Sequence, residues 1–325
     1  LWPGESSFPV LIRRATQGVA ADSAILQIPT VGKQMSGQGD TMTTSSITLT
    51  RDELGVFLVL LGLPAVNGLP QDMAADIPAA EAEIRFHCGE HTLHERGWLT
   101  YGYEQRPILH DLLVAFVGAA ALPAATLMLQ QAYPGGAALT HFFSRRPDLL
   151  VEHCSPQSGL YTFQSLQDAA ALVERIKVVT AAMAAQNDED DRPATGFQEL
   201  NAESMAGFLS LATTGEQDAA MAVWRFEGGA PGVGQNILAG LSTRPCWIAT
   251  AAWNLNQRRP PASRTVMVIE SEAGFWLVES HTSLGGRVRI HRISGEACQR
   301  SLIELAGLLS GSEQEQEGEY AQLAA

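Results

Sequence analysis

His87, Cys88, Glu90, His91, His94 and Glu95 fall within nine consecutive residues, and imidazole, thiol and carboxylate groups are the side chains from which proteins build metal sites. On a helix each residue advances about 100°, so His87, His91 and His94 lie within about 60° of one another. A histidine pair four residues apart grips one metal ion from a single helix face. Glu83 and Glu90 flank that stripe. Together these residues define one chemical hypothesis: a mononuclear or binuclear metal centre on His87, His91 and His94, serving a metal-dependent enzyme. Against it, no glutamate occupies the base position of His-Glu-x-x-His, Ile84 and Trp98 share the face, and no distant histidine or carboxylate motif completes the set. The competing reading, a polar helix face with solvated imidazoles, carries more weight.

Other chemical signatures are weaker. Gly228-Gly-Ala-Pro-Gly-Val-Gly-Gln-Asn236 looks like a phosphate loop, but it follows a predicted helix and lacks the Gly-Lys-Ser/Thr ending. A flexible connection between helices is the expectation there. No Gly-x-Ser-x-Gly elbow occurs, and neither Lys33 nor Lys177 sits in a Ser-x-x-Lys arrangement. His110, His141, His153, His281 and His291 are dispersed, and those in predicted strands alternate with apolar neighbours as ordinary sheet-face residues do. Trp224, Trp247, Trp253 and Trp276 read as core residues, any exposed one among them being an anchor for a partner. No catalytic residue and no cofactor are therefore expected.

Composition narrows the classes further. A chain of 325 residues with 46% hydrophobic content buries a sizeable core, in two or three domains. The net charge of -14 argues against a nucleic-acid or anionic-membrane surface, which requires a concentrated positive field. Cys88, Cys154, Cys246 and Cys298 form no CxxC pair and read as reduced, largely buried thiols of a cytoplasmic protein. Residues 112–129 carry no charge and approach the length of a membrane span, but Gly118 and Pro123 interrupt them. A helix end running into a buried strand is expected instead, with no membrane span.

The elements that must position these residues come in a repeated order. Residues 1–45 lack any sustained period and read as a disordered extension, with Met42 as a candidate translation start. Thr50 and Glu53 make a capping box ahead of Leu54, Phe57, Leu58 and Leu61. Further helices are predicted over 78–96, stopped by Gly97, and over 107–120. Strands follow over 126–133, 138–144, 149–154 and 160–163, separated by hairpin punctuation, and Ser165 opens a closing helix. An acidic linker over 188–195 ends this first lobe of 46–187. The second lobe, 196–311, repeats the pattern: helices over 196–213, 216–226 and 233–241, strands over 246–254, 264–270, 274–280 and 287–293, then a helix opened by Ser294. A frayed acidic tail, 312–325, completes the chain. The fold class is α+β, with two quasi-symmetric lobes, each of helices followed by an antiparallel meander sheet and a closing helix.

Leu49-Thr-Arg-Asp-Glu-Leu54, Leu60-Leu-Gly-Leu-Pro64, and the helix from Ala82-Glu83 to Glu95-Arg-Gly-Trp-Leu99 resemble the EspG-like family of ESX, or type VII, secretion. The resemblance covers residues 46–165, and beyond them it lies in element order. It implies two quasi-symmetric α+β lobes and a cytosolic chaperone that holds a secretion substrate on an exposed surface without catalysis. The histidine-rich helix departs from the family's Arg/Ala-rich one, and no substrate-binding loop carries over residue by residue. The expectation is a non-catalytic, cytoplasmic protein-binding adaptor whose partner is a secreted helical protein. The alternative is the metal-dependent enzyme on His87, His91 and His94.

Overall fold

The computed structural model describes residues 45–63, 65–66, 78–134, 138–155, 159–184, 197–253, 255, 262–281 and 286–310. The expected linker 188–195, the tail 312–325 and residues 1–44 of the expected extension lie outside them. The described residues fall into two compact units, one holding 45–124 and 140–167, the other 125–139 and 168–310. Each mixes helices with antiparallel strands, so the class is α+β. No described helix is long and apolar enough to cross a membrane.

In chain order the first unit begins with β1 (Ser46–Thr50), α1 (Arg51–Leu61), α2 (Ala79–Glu95), β2 (Leu99–Tyr101), β3 (Pro107–Leu109) and α3 (Asp111–Ala121). After β4 (Ala125–Ala132), which belongs to the second unit, come β5 (Ala138–Arg146), β6 (Leu149–Ser155) and β7 (Leu160–Leu166). The sheet runs β1-β7-β6-β5, antiparallel throughout. Its apolar face, with Ile47, Leu49, Val151, Tyr161 and Phe163, packs with Phe57 of α1 and Leu113, Phe116 and Val117 of α3. Each of these fully buried side chains contributes roughly 1.5–3 kcal/mol.

Thr50 both ends a strand and starts a helix. Its hydroxyl accepts from the Glu53 N–H at 3.2 Å, and the Glu53 carboxylate accepts from the Thr50 N–H at 2.8 Å. Both halves of the capping box are in place. Gly62 ends α1 in the left-handed region at φ 62°, where a side chain would be strained. At α3 the sequence expectation is corrected: residues 107–109 pair with β2, and His110 caps the helix by accepting from the Leu112 N–H at 3.2 Å. A three-residue strand shows no readable period, so its pairing partner decides it.

The second unit adds to β4 the elements α4 (Ala169–Val179), α5 (Ala181–Ala184), β8 (Gln198–Asn201), α6 (Ala202–Thr213), α7 (Gln217–Phe226) and α8 (Pro231–Thr243). Then follow β9 (Cys246–Trp253), β10 (Ala262–Ser271), β11 (Gly274–His281), β12 (Arg287–Ile293) and α9 (Gly295–Ser310). The strand order is β4-β9-β10-β11-β12-β8, all antiparallel. Helices α6, α7 and α8 cover one face through Phe208, Trp224 and Ile237, against Ile248, Met267, Ile269, Val278 and Ile290. α9 packs on β9 and β4 and on α4. Burial of both sheet faces explains why β9 is apolar at nearly every position.

Two expected helix starts move. Ser165 stays in β7, paired with Val151, and α4 begins instead behind Asp168, whose carboxylate accepts from the Ala171 N–H at 2.8 Å. Residues 198–201 pair with β12 as an edge strand, and Asn201 then caps α6 by accepting from the N–H groups of Glu203 and Ser204. Ser294 does open α9, accepting from the Ala297 N–H at 3.3 Å.

Candidate functional site

Helix α2 is long but buries only Gly89 and Leu93 fully. Its histidines therefore stand in solvent, and each has a neighbour of its own. His87 meets Glu90 at 3.3 Å, His91 meets Glu95 at 3.2 Å, and the His94 ring lies 5.8 Å from the ring of Tyr101. Glu83 is exposed. Among the described residues, the three imidazoles do not form a group of converging ligand atoms. All three imidazoles lie on the exposed side of α2.

The Tyr101 hydroxyl donates to Glu90 Oε1 and holds that carboxyl below its ordinary range, with His87 adding to the effect. The same bond holds the Tyr101 phenol above its ordinary range. Tyr101, Tyr103 and Ile108, on the β2–β3 hairpin, are exposed by 39%, 88% and 54%. The hairpin thus gives the first unit a small exposed patch of Tyr101, Tyr103 and Ile108 beside the polar, histidine-bearing face of α2.

A different cluster lies on the sheet. Counted outward from the Arg146–Leu149 pair, the hairpin register sets His141 opposite Cys154 and Phe143 opposite Glu152. Strand residues two apart share a face, so His141, Glu152 and Cys154 converge. Nδ1 of His141 lies 2.7 Å from Glu152 Oε1 and 3.1 Å from Cys154 Sγ. The side chains of His141 and Glu152 are 7% and 2% exposed, and Cys154 is partly exposed. On the opposite face His153 stacks between Phe142 and Phe163, at 4.8 and 5.5 Å. The expectation of dispersed, ordinary sheet histidines holds for His153 and fails for His141. The signal was available in the two-residue Pro147-Asp148 turn, which fixes the register.

The remaining candidates have structural roles. Gly229 and Gly234 lie against the Trp224 indole, where an added Cβ would come within 2.4 and 2.9 Å of the ring, and Trp224 Nε1 donates to the Ala230 carbonyl at 2.9 Å. The glycine-rich segment lays the start of α8 over a tryptophan. Trp224, Trp247, Trp253 and Trp276 are all buried, so none serves as an exposed anchor. Burial pushes the Cys246 thiol up to about 11, which makes it unreactive. His291 is held below the ordinary histidine range, chiefly by burial.

No family model matches the chain, and no curated protein matches it. Among solved structures, it is similar to the Mycobacterium tuberculosis type VII secretion system chaperone EspG5, solved in complex with a PE25-PPE41 dimer. The TM-score is 0.54 at 13% identity, covering 83% of this chain and 98% of that one. HtdX of Mycobacterium tuberculosis aligns over 77% of this chain and 99% of its own at 12% identity, but with a TM-score of 0.17 the folds do not correspond. At this identity the likeness to EspG5 is one of fold: an EspG-like α+β architecture.

Proposed function

We propose that this chain is a non-catalytic, cytosolic adaptor that holds a protein partner, acting as a chaperone for a type VII secretion substrate. The observation that carries the reading is the EspG-like fold, which spans 98% of a chaperone solved with a protein dimer bound. Two features of the chain support it. Helix α2 keeps most of its surface out of the core, and the β2–β3 hairpin beside it exposes Tyr101, Tyr103 and Ile108. Clustered exposed aromatics of this kind are what a protein partner covers. The partner is a secreted helical protein.

The test is co-expression of the full chain with PE–PPE-type dimers from its own genome, followed by size-exclusion chromatography with light scattering. A stable complex of one chain with one dimer is expected, weakened about 10-fold or more by Tyr103→Ala. If no such pair co-elutes with the chain, the reading fails.

A further inference from the structure

We propose that His141, Glu152 and Cys154 form a binding site for a divalent transition metal, zinc being the best fit. The cluster lies wholly within the first unit, on β5 and β6, whose register fixes all three side chains on one face. Among the described residues it is the one group of three whose ligand atoms converge, all within 4.8 Å of one another.

The triangle has the dimensions of a contracted coordination shell. Its edges are 2.7 Å from Oε1 to Nδ1, 3.1 Å from Sγ to Nδ1 and 3.7 Å from Sγ to Oε1. Tetrahedral zinc, with bonds of about 2.3 Å to sulfur and about 2.0–2.1 Å to nitrogen and oxygen, sets its ligand atoms roughly 3.3–3.6 Å apart. Admitting the ion takes an opening of roughly 0.6 Å between Oε1 and Nδ1 and roughly 0.4 Å between Sγ and Nδ1, while the sulfur–oxygen edge is already wide enough.

The donor set selects the metal. One thiol, one imidazole and one carboxylate make a borderline-soft set that suits zinc, whereas magnesium and calcium prefer oxygen alone. Binding deprotonates the Cys154 thiol and displaces the proton shared by Nδ1 of His141 and Glu152; the thiol proton goes to solvent and the shared one to Nε2 of the ring or to solvent, which frees all three ligand atoms. Three protein ligands leave the fourth tetrahedral position to water, and Cys154, the partly exposed member, marks the side from which the ion enters.

The same residues also have the composition of a nucleophilic triad, and the geometry separates the two readings. A relay needs the thiol at one ring nitrogen and the orienting carboxylate at the other. Here both meet Nδ1. Donors that crowd one nitrogen point to a common centre between them, which is the arrangement of ligands. The His141 ring is steadied by stacking on Phe143 at 6.4 Å, with the planes 13° apart.

The experiment uses the full chain, purified without a histidine tag and titrated first with Co2+ and then with Zn2+. One Co2+ per chain is expected, with the visible absorption of a tetrahedral site and a thiolate-to-cobalt band in the near ultraviolet, both lost on adding one equivalent of Zn2+. Cys154→Ser abolishes the near-ultraviolet band and lowers zinc affinity at least about 100-fold. Cys88→Ser and His91→Ala leave both unchanged. Circular dichroism reports whether each variant folds. Glu152→Gln is the second variant: it keeps the sulfur band and weakens zinc about 10-fold or more. A wild-type chain that takes up no Co2+ overturns the site whatever the variants do. So does a band that survives Cys154→Ser or disappears with Cys88→Ser or His91→Ala.

Discussion

Helix α2 in the first unit and helix α8 in the second each lay a glycine on a neighbouring backbone, and each ends in an arginine that reaches a buried glutamate on that same neighbour. In the first unit an added Cβ at Gly89 would meet the Asp52 carbonyl at 2.7 Å, and Arg96 grips both carboxylate oxygens of Glu53 at 2.8 Å. In the second, an added Cβ at Gly240 would meet the Glu270 carbonyl at 2.3 Å, and Arg244 reaches the Glu270 carboxylate at 2.6 Å. The elements gripped differ, a helix in one case and a strand in the other, so the shared device follows from physics and not from equivalent positions. A close approach needs a missing Cβ, and the cation at a helix C-terminus is favoured by the helix dipole. Glu152, the third buried glutamate among the described residues, is met by an imidazole and a thiol. A guanidinium stays charged at any working pH and fixes a carboxylate for good, while imidazole and thiol can exchange protons and accept a metal. The two arginine-held carboxylates are fixed charges, whereas Glu152 shares its surroundings with two groups that can change protonation.

The largest expected effect comes from closing the two approaches. Gly240→Ala should cost about 3 kcal/mol, because the new methyl collides with a strand carbonyl that sits in the sheet interior. Gly89→Ala should cost about 2 kcal/mol, since two packed helices separate more easily than a helix and a ladder. Chemical denaturation of the two variants measures the difference. The comparison breaks if Gly89→Ala proves the more damaging.

Removing the arginines comes next. The guanidinium side chains are 40% and 45% exposed, so the interactions are partly screened. Leaving a carboxylate of 2% or 5% exposure without its partner still costs about 2 kcal/mol. Arg244→Met should be the costlier of the two, because Glu53 retains the Thr50 N–H when Arg96 is lost. Equal losses, read from denaturation midpoints, would show that the capping box does not shelter Glu53.

How much of this was readable beforehand depended on the range over which each feature is specified. Thr50, Glu53 and Gly97 act on neighbours within a turn, and the sequence declares them. Ser165 did not open a helix because its backbone was already committed to Val151 in the next strand, and Asp168 had the better geometry for the cap. Residues 46–50 alternate correctly for a strand, but the stronger helix signal that starts at Thr50 masks them. The candidate sites show the same division. His87, His91 and His94 stand out because helical spacing is visible in one dimension, yet each ends with a separate neighbour. His141 and Cys154 are joined only by hairpin register, and Glu53 and Arg96 only by the packing of two helices.

The smallest effect concerns a pair that lies between the two kinds of carboxylate. Glu90 sits on the exposed face of α2 and is paired with Tyr101, a titratable group like those around Glu152 but in contact with solvent. Its folded pKa lies below the unfolded value, so the bond stabilises the fold above the ordinary carboxylate range, about 4.3, and that contribution is lost as pH falls through the folded value. Tyr101 has the opposite sign: its folded pKa is raised, so its contribution is complete below about 10 and is lost as pH rises through the folded value. Solvent screening keeps the whole effect below about 1 kcal/mol. Tyr101→Phe should therefore flatten stability at both ends of this window and return the Glu90 carboxyl toward its ordinary range, followed by the NMR titration of its side-chain carbon. If Glu90 titrates unchanged in Tyr101→Phe, its low value belongs to His87 at 3.3 Å. The histidine stripe would then carry electrostatic weight of its own, and the contrast between the exposed face of α2 and the buried cluster on β5 and β6 would narrow.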